Sequence, residues 1–115
     1  MKPGQVLVLF AKKPVLGKVK TRLQPHITPE NSLLLYRAFV ESTLERVATI
    51  GQTGLFLGCY PDHSDPWFDE LSKRFNCGLF SQEGNDLGER MANAFNRFEK
   101  AEFRKKVIIG TDSGD

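Results

Sequence analysis

The sequence predicts an α/β fold in which helices flank a mainly parallel, doubly wound, Rossmann-like sheet. Short apolar runs, typical of strands buried on both faces, alternate with longer segments whose apolar residues recur every three or four positions. The 115 residues can build one domain with a real core and leave no room for two. Hydrophobic residues make up 40% of the chain and charged residues 26%, which excludes disorder and a coiled coil as the main state.

The first predicted strand is the partly β-branched run from Val6 to Phe10. A long polar loop follows, up to Pro29. Thr28 and Pro29 then read as the N-cap and first residue of a helix that runs to about Thr49. Its apolar stripe consists of Leu33, Tyr36, Val40, Leu44 and Val47.

The rest of the chain continues the alternation of strands and helices. In order, we expect a strand at Gly54 to Tyr60, a helix at Trp67 to Phe75, a strand at Leu79 to Gln82, a helix from Leu87 to about Lys100, and a strand at Val107 to Gly110. The last helix is expected to bury Met91, Ala94, Phe95 and Phe98. Right-handed crossovers leave the ligand crevice at the carboxyl ends of the strands. The loop after the first strand and Asp112 after the last should therefore share one edge of the sheet.

The loop after the first strand is strongly basic. Six cations precede the first acid, Glu30: Lys2, Lys12, Lys13, Lys18, Lys20 and Arg22. Such a block favours an anionic partner. The alternative is a basic loop that is solvated and forms no specific site. Exposed amides, a permissive Gly17 and the cations are the parts a chain needs to surround phosphates. The segment matches neither a Walker P-loop nor the GxGxxG fingerprint.

Nucleic acid is the less favoured anionic partner. The N-terminal cations are gathered in one loop without interleaved aromatic residues apart from Phe10. Residues 61–115 hold 8 Lys and Arg against 11 Asp and Glu, so that half is acidic, whereas residues 1–60 hold 8 against 3. We therefore expect a small phosphorylated molecule and no nucleic acid.

Two acidic segments could complete a site. Asp112, with Asp115 nearby, follows an apolar strand, where carboxylates suit Mg²⁺ or Mn²⁺; a simple turn is the alternative. Gln82 and Asp86 lie between a strand and a helix, where they could hydrogen-bond a nucleobase or ribose. Alternatively, Asp86 is an N-cap that forms a capping box with Glu89. Arg90 would then be a helix-surface residue or a partner of Asp86.

Other features are less informative. Cys59 and Cys77 fit no redox or zinc pattern and are expected as buried thiols. His26 and His63 are expected on the surface. No apolar run is long enough for a membrane span, and the first is too short for a signal peptide, so a cytoplasmic location is the default.

Three segments resemble the DUF2064 group, the glycosyltransferase-A-like nucleotide-diphospho-sugar transferase family that includes the selenodomain-associated transferases. They are FAKKPVLGKVKTRL (Phe10 to Leu23), SQEGNDLGERMANAF (Ser81 to Phe95) and GTDSGD (Gly110 to Asp115). The resemblance covers essentially the whole chain in the right order. It implies a GT-A fold and a nucleotide or nucleotide sugar as the partner, bound with a divalent metal.

The same resemblance implies roles for particular residues. The expected nucleotide-binding residues are Phe10, Ala11, Lys12, Gly17, Lys20, Arg22, Gln82 and Asp86, with the basic loop at the phosphates and the last two near the nucleoside. Asp112 would bind Mg²⁺ or Mn²⁺, and no catalytic base is named. The KTRL stretch, Lys20 to Leu23, is also similar to 2-phospholactate guanylyltransferases. Nucleotidyl transfer and nucleotide binding without turnover are therefore the alternatives to glycosyl transfer.

Two departures from the family pattern affect these expectations. Gly114 stands where the family usually has Pro after the Asp-Ser pair. Family members also continue beyond this motif, so the single domain at residues 1–115 is expected to be an incomplete nucleotide-binding unit. The last strand would then lie at an open sheet edge, or beside whatever the absent part supplies, and self-association is expected of an open edge.

Overall fold

The computed structural model describes residues 4–15, 28–49, 53–99 and 105–110. These residues form a four-stranded parallel sheet with three flanking helices, in the order β3-β2-β1-β4. The elements are β1 (Gln5–Lys12), α1 (Pro29–Val47), β2 (Thr53–Tyr60), α2 (Pro66–Phe75), β3 (Gly78–Ser81), α3 (Leu87–Glu99) and β4 (Lys105–Gly110). The predicted α/β class and parallel sheet are confirmed.

The observed bounds differ from the predicted ones by a few residues. β3 begins at Gly78 and ends at Ser81, so Gln82 lies just beyond the strand rather than within it. β4 begins two residues earlier than its apolar run, because the backbones of Lys105 and Lys106 pair with the start of β1. Ladder hydrogen bonds are made by the backbone and do not require an apolar side chain.

β1 lies at the centre of the sheet and separates two cores. Successive side chains of a strand point to opposite faces. Leu7, Leu9 and Ala11 face one core, while Val6, Val8 and Phe10 face the other. All six side chains are no more than 9% exposed, so β1 is buried on both faces, as its continuous apolar run predicts.

Helices α1 and α2 cover the first face. Tyr36, Val40 and Leu44 of α1 are fully buried there, in agreement with the predicted stripe. From α2, Trp67 and Phe68 join the same core. The predicted N-cap of α1 is also present, since Thr28 Oγ1 accepts the Asn31 N–H at 3.1 Å.

Helix α3 covers the other face, and here one prediction is wrong. Ala94 and Phe98 are buried and Met91 packs beside them, but Phe95 is 40% exposed. Residues 91, 94 and 98 form a narrow stripe at spacings of three and four. Phe95 follows Ala94 directly and is therefore turned about 100° away from the sheet.

β3 forms one edge of the described sheet and β4 forms the other. It pairs with β1 through six residue pairs, and no described strand lies beyond it. The side chains of residues 106–110 are only partly buried. This agrees with the expected open edge, while self-association through it stays a prediction. No helix within the described ranges is both long and apolar enough to cross a membrane.

Candidate functional site

The carboxyl ends of the parallel strands meet at one edge of the sheet, where Lys12, Tyr60, Ser81 and Gly110 are the last strand residues. The chain builds β1, β2 and β3 outward in one direction and then crosses to place β4 on the other side of β1. Ligands of doubly wound sheets bind at the carboxyl edge near such a switch in strand order. The strand order therefore predicts a ligand site at this edge of the sheet.

A small cavity of about 70 Å³ opens at this edge, and we call it the edge cleft. It is lined by Phe10, Ala11, Lys12, Tyr60, Gln82, Leu87 and Arg90. Four of the eight predicted nucleotide-binding residues thus come together from segments 70 residues apart in the sequence. Gly17, Lys20, Arg22 and Asp112 lie outside the described residues.

Phe10 and Ala11 form the apolar part of the edge cleft. Both side chains are almost inaccessible, at 2% and 1% exposure, and they point into opposite cores. They can shape the cleft but offer no polar side-chain group to a ligand. Lys12 is half-buried and carries the charge of this wall.

Backbone hydrogen bonds hold the chain where it leaves β1. The Lys12 N–H donates to the Tyr36 hydroxyl at 2.7 Å, which ties the strand end to the middle of α1. The next amide, that of Lys13, donates to the Tyr60 carbonyl at 2.7 Å and extends the pairing with β2. Tyr36 is fully buried, so the start of the basic loop is anchored to the core.

Gln82 is held at the edge cleft by two bonds to β2. Its backbone N–H donates to the Cys59 carbonyl at 2.9 Å. Its side-chain Nε2 donates to the Gly58 carbonyl, also at 2.9 Å. The second bond orients the amide group, so that the side-chain carbonyl oxygen is left as the hydrogen-bond acceptor of a residue that lines the cleft.

Asp86 forms the predicted N-cap of α3. Its Oδ1 accepts the Glu89 N–H at 2.8 Å, and its backbone carbonyl accepts the Arg90 N–H at 3.0 Å. The reciprocal half of the capping box differs from the prediction, because Glu89 Oε1 accepts the N–H of Asn85 at 2.9 Å instead of that of Asp86. Asp86 is exposed and does not line the edge cleft; its role near a nucleoside stays a prediction.

Tyr60 and Arg90 are residues of the cleft that the sequence did not single out as binding residues. The Arg90 guanidinium carbon lies 4.6 Å from the centre of the Tyr60 ring, a cation–π distance. Its Nε donates to the Asp86 carbonyl at 3.1 Å, so Arg90 does partner Asp86, but through the backbone. The sequence feature that could have indicated this contact was the four-residue spacing between Asp86 and Arg90.

The loop after β2 carries a second group of polar contacts outside the edge cleft. Asp62 Oδ1 accepts from the backbone N–H and the hydroxyl of Ser64, at 2.9 and 2.5 Å, and these bonds lower the pKa of the carboxyl group. The His63 N–H donates to Ser81 Oγ at 3.2 Å, and His63 is exposed as expected. These contacts order the loop next to the end of β3.

Both cysteines are buried free thiols, as expected. Burial raises the pKa of Cys77 to about 11 and raises that of Cys59 further. A thiol that stays protonated at neutral pH is a poor nucleophile and metal ligand. Among the residues that the structure describes, no three His, Cys, Asp or Glu side chains form a metal-binding group.

The family model described as "Uncharacterized protein conserved in bacteria (DUF2064)" matches residues 43–115. The chain belongs to this family. Among solved structures, this DUF2064 chain is similar to a protein of Desulfovibrio desulfuricans G20 that is provisionally classed as a nucleotide-diphospho-sugar transferase. The TM-score is 0.82 and the identity 29%, over 97% of this chain and 48% of the other. No curated protein matches the chain in sequence.

These comparisons confirm the family suggested by the three sequence segments. The DUF2064 chain has the α/β fold of its structural neighbour and spans about half the length of that protein.

Proposed function

We propose that this chain binds the nucleoside diphosphate part of a nucleotide sugar at the carboxyl edge of its sheet, as part of an enzyme that transfers the sugar. The observation that carries the proposal is the edge cleft, where Lys12, Gln82 and Arg90 converge on the strand ends of a fold like that of a protein classed as a nucleotide-diphospho-sugar transferase. The lysine and the arginine suit phosphate oxygens, and the glutamine amide suits the polar edge of a nucleobase.

The cations would bind the phosphates. Lys12 supplies a compact charge, and Arg90 supplies a guanidinium fork that suits phosphate oxygens. Tyr60 and the Asp86 carbonyl already hold Arg90, so less side-chain entropy would be lost when a ligand binds. From the basic loop, Gly17, Lys20 and Arg22 would complete the phosphate contacts.

Gln82 would contact the nucleobase. Because its Nε2 donates to the Gly58 carbonyl, the amide would present its oxygen as an acceptor. Uracil and guanine carry ring N–H donors that suit such an acceptor, so we propose a UDP- or GDP-type donor. Asp86, the N-cap of α3, would contact the ribose.

A divalent cation is part of the proposal. Asp112 stands two residues after the end of β4 in the sequence, and a carboxylate oxygen is a ligand that Mg²⁺ and Mn²⁺ favour. The ion would offset the negative charge of the diphosphate. The protein residues would mainly position the donor, since a nucleoside diphosphate is already an activated leaving group.

The test is a thermal-melting panel with UDP, GDP, UDP-glucose and GDP-mannose, each with and without Mn²⁺. A ligand at 100 times its Kd stabilises the folded state by about 2.7 kcal/mol. We expect at least one nucleotide to raise the Tm, and Lys12→Ala and Asp112→Asn to reduce that rise. Lys73→Ala, which removes an exposed cation from α2, is the matched control. If no nucleotide raises the Tm of the wild type, the proposal is wrong.

Product analysis separates the two transferase chemistries. Release of a nucleoside diphosphate from a nucleotide sugar indicates glycosyl transfer. Release of pyrophosphate from a nucleoside triphosphate indicates nucleotidyl transfer. Stabilisation without either product leaves nucleotide binding as the function of this chain.

A further inference from the structure

A second, larger cleft lies between β3 and α3, and we call it the α3 cleft. Its volume is about 310 Å³, which is within the range of small-molecule sites. It is lined by Phe80, Ser81, Glu83, Arg90, Asn93, Ala94, Asn96 and Arg97. Among the described residues, Arg90 alone lines both this cleft and the edge cleft.

Two arginines of the α3 cleft are held against aromatic rings. The Arg97 guanidinium carbon lies 4.9 Å from the centre of the Phe80 ring, and that of Arg90 lies 4.6 Å from the centre of the Tyr60 ring. Stacking of this kind leaves the edge of a guanidinium, with its N–H donors, available to an anion. Both groups are therefore oriented before a ligand arrives.

The cleft combines an apolar floor with polar walls. Phe80 and Ala94 are buried beneath it, at 4% and 3% exposure. Asn93 Nδ2 donates to the Glu83 carbonyl at 2.7 Å and thereby ties α3 to the loop after β3. An apolar surface bordered by a few fixed polar groups is the usual composition of a small-molecule site.

The charge of the cleft is unbalanced. Its lining contains two cations and one acid, Glu83, and within the described ranges neither arginine has a carboxylate within salt-bridge distance. Arg74 of α2 is different. It also stacks on a ring, that of Phe75 at 4.9 Å, but its guanidinium is paired with Glu41 at 2.8 Å.

We infer that the α3 cleft is a second binding site, for a small organic molecule with two anionic groups. Arg90 and Arg97 are seven residues apart, which corresponds to about 10 Å along a helix. One phosphate or carboxylate would bind at each end, and the polyol or carbon chain between them would lie along α3 and contact Asn93. The inference shares Arg90 with the proposed nucleotide site, so the variant that tests it is made at Arg97, which lines the α3 cleft and not the edge cleft.

The test is calorimetric titration of the full chain in a phosphate-free, low-salt buffer with three probes: fructose 1,6-bisphosphate, inorganic phosphate and fructose. We expect the bisphosphate to bind saturably and more tightly than phosphate, and fructose not to bind. Arg97→Gln should weaken bisphosphate binding at least about tenfold, because it removes charge-assisted hydrogen bonds. Arg74→Gln also removes an exposed, ring-stacked arginine and should leave the affinity unchanged.

Mapping of amide chemical shifts on the wild type provides a readout that needs no variant. Bisphosphate should shift the amides of Ser81, Asn93 and Arg97 and leave those of α2 unmoved. Absence of saturable binding, wild-type affinity in Arg97→Gln, or an equal loss in Arg74→Gln would each overturn the inference. A negative nucleotide panel together with a positive bisphosphate titration would reject the proposed function and leave this inference standing.

Discussion

Phe10 of β1 has a glycine beside it on both neighbouring strands, and this permits a sharp test of the packing. In the parallel register Phe10 pairs with Gly58 of β2 and with Gly110 of β4. A Cβ atom built on Gly58 would lie 2.8 Å from Phe10 Cδ1 and 2.8 Å from Phe80 Cζ. A Cβ atom on Gly110 would meet no atom of the described residues within 4 Å.

Gly58→Ala should therefore destabilise the fold, whereas Gly110→Ala should not. Both rings are buried in the core beneath α3, so neither can move without displacing its neighbours. Overpacking of this size costs about 1–3 kcal/mol, which lowers the Tm of a chain of this length by roughly 4–15 °C. At Gly110, the last residue of β4, alanine should stabilise the fold by up to about 1 kcal/mol, because it reduces the conformational entropy of the unfolded chain.

The measurement is urea unfolding of both variants and the wild type, followed by circular dichroism and tryptophan fluorescence. The two substitutions add the same methyl group at the same level of the sheet, so the effect of alanine on the unfolded chain cancels in the comparison. Equal stability of Gly58→Ala and Gly110→Ala would contradict the predicted overpacking against Phe10 and Phe80. Phe10 also lines the edge cleft, so Gly58→Ala should in addition weaken any nucleotide-induced rise in Tm.

Four further predictions concern hydrogen bonds and thiols. Tyr36→Phe leaves the Lys12 N–H without its 2.7 Å acceptor and should cost about 1–3 kcal/mol in urea unfolding; a change below about 0.5 kcal/mol would contradict it. Asp86→Ala removes the cap of α3 and should cost about 1 kcal/mol, while Asp86→Asn, which keeps an acceptor oxygen, should cost much less; equal losses would reject the cap. Cys59 and Cys77 should resist iodoacetamide at pH 8 in the folded chain and react in urea, as mass spectrometry would show. Because burial raises the folded-state pKa of Cys77 from an ordinary value near 9.0 to about 11, its contribution to stability is complete below pH 9 and is lost as the pH rises through 11. The wild type should lose more unfolding free energy between pH 9 and 11 than Cys77→Ala does, and an equal loss in both would contradict that assignment.

The sequence pattern predicts most of the fold because the elements carry local signals. The apolar run of β1 and the Thr28-Pro29 start of α1 are features that neighbouring residues determine between themselves. Phe95 is the exception. Its hydrophobicity suggests a core position, but a helix that crosses one face of a sheet buries a narrow stripe, and Ala94 and Phe98 already occupy it.

The candidate site could be predicted only in part, since its contacts join distant segments. Lys12 and Gln82 carry motif signals and do line one cleft. The stacking of Arg90 on Tyr60 depends on where β2 ends relative to α3, which no spacing within either segment encodes. The bond from Lys12 to Tyr36 likewise depends on how α1 lies across the sheet, whereas the helical pattern of Tyr36 indicates only that its ring is buried.

The register between β1 and β4 has a consequence for the order of folding. Gln5 pairs with Lys105, a separation of 100 residues, whereas β1 and β2 are joined through a single helix. Contacts with small sequence separation form faster because less chain entropy is lost in closing the loop. During synthesis, β1, β2 and β3 can therefore assemble while β4 is still being made. Until β4 arrives, one edge of the most apolar strand exposes unpaired backbone groups, and this nascent intermediate is the species most prone to aggregate.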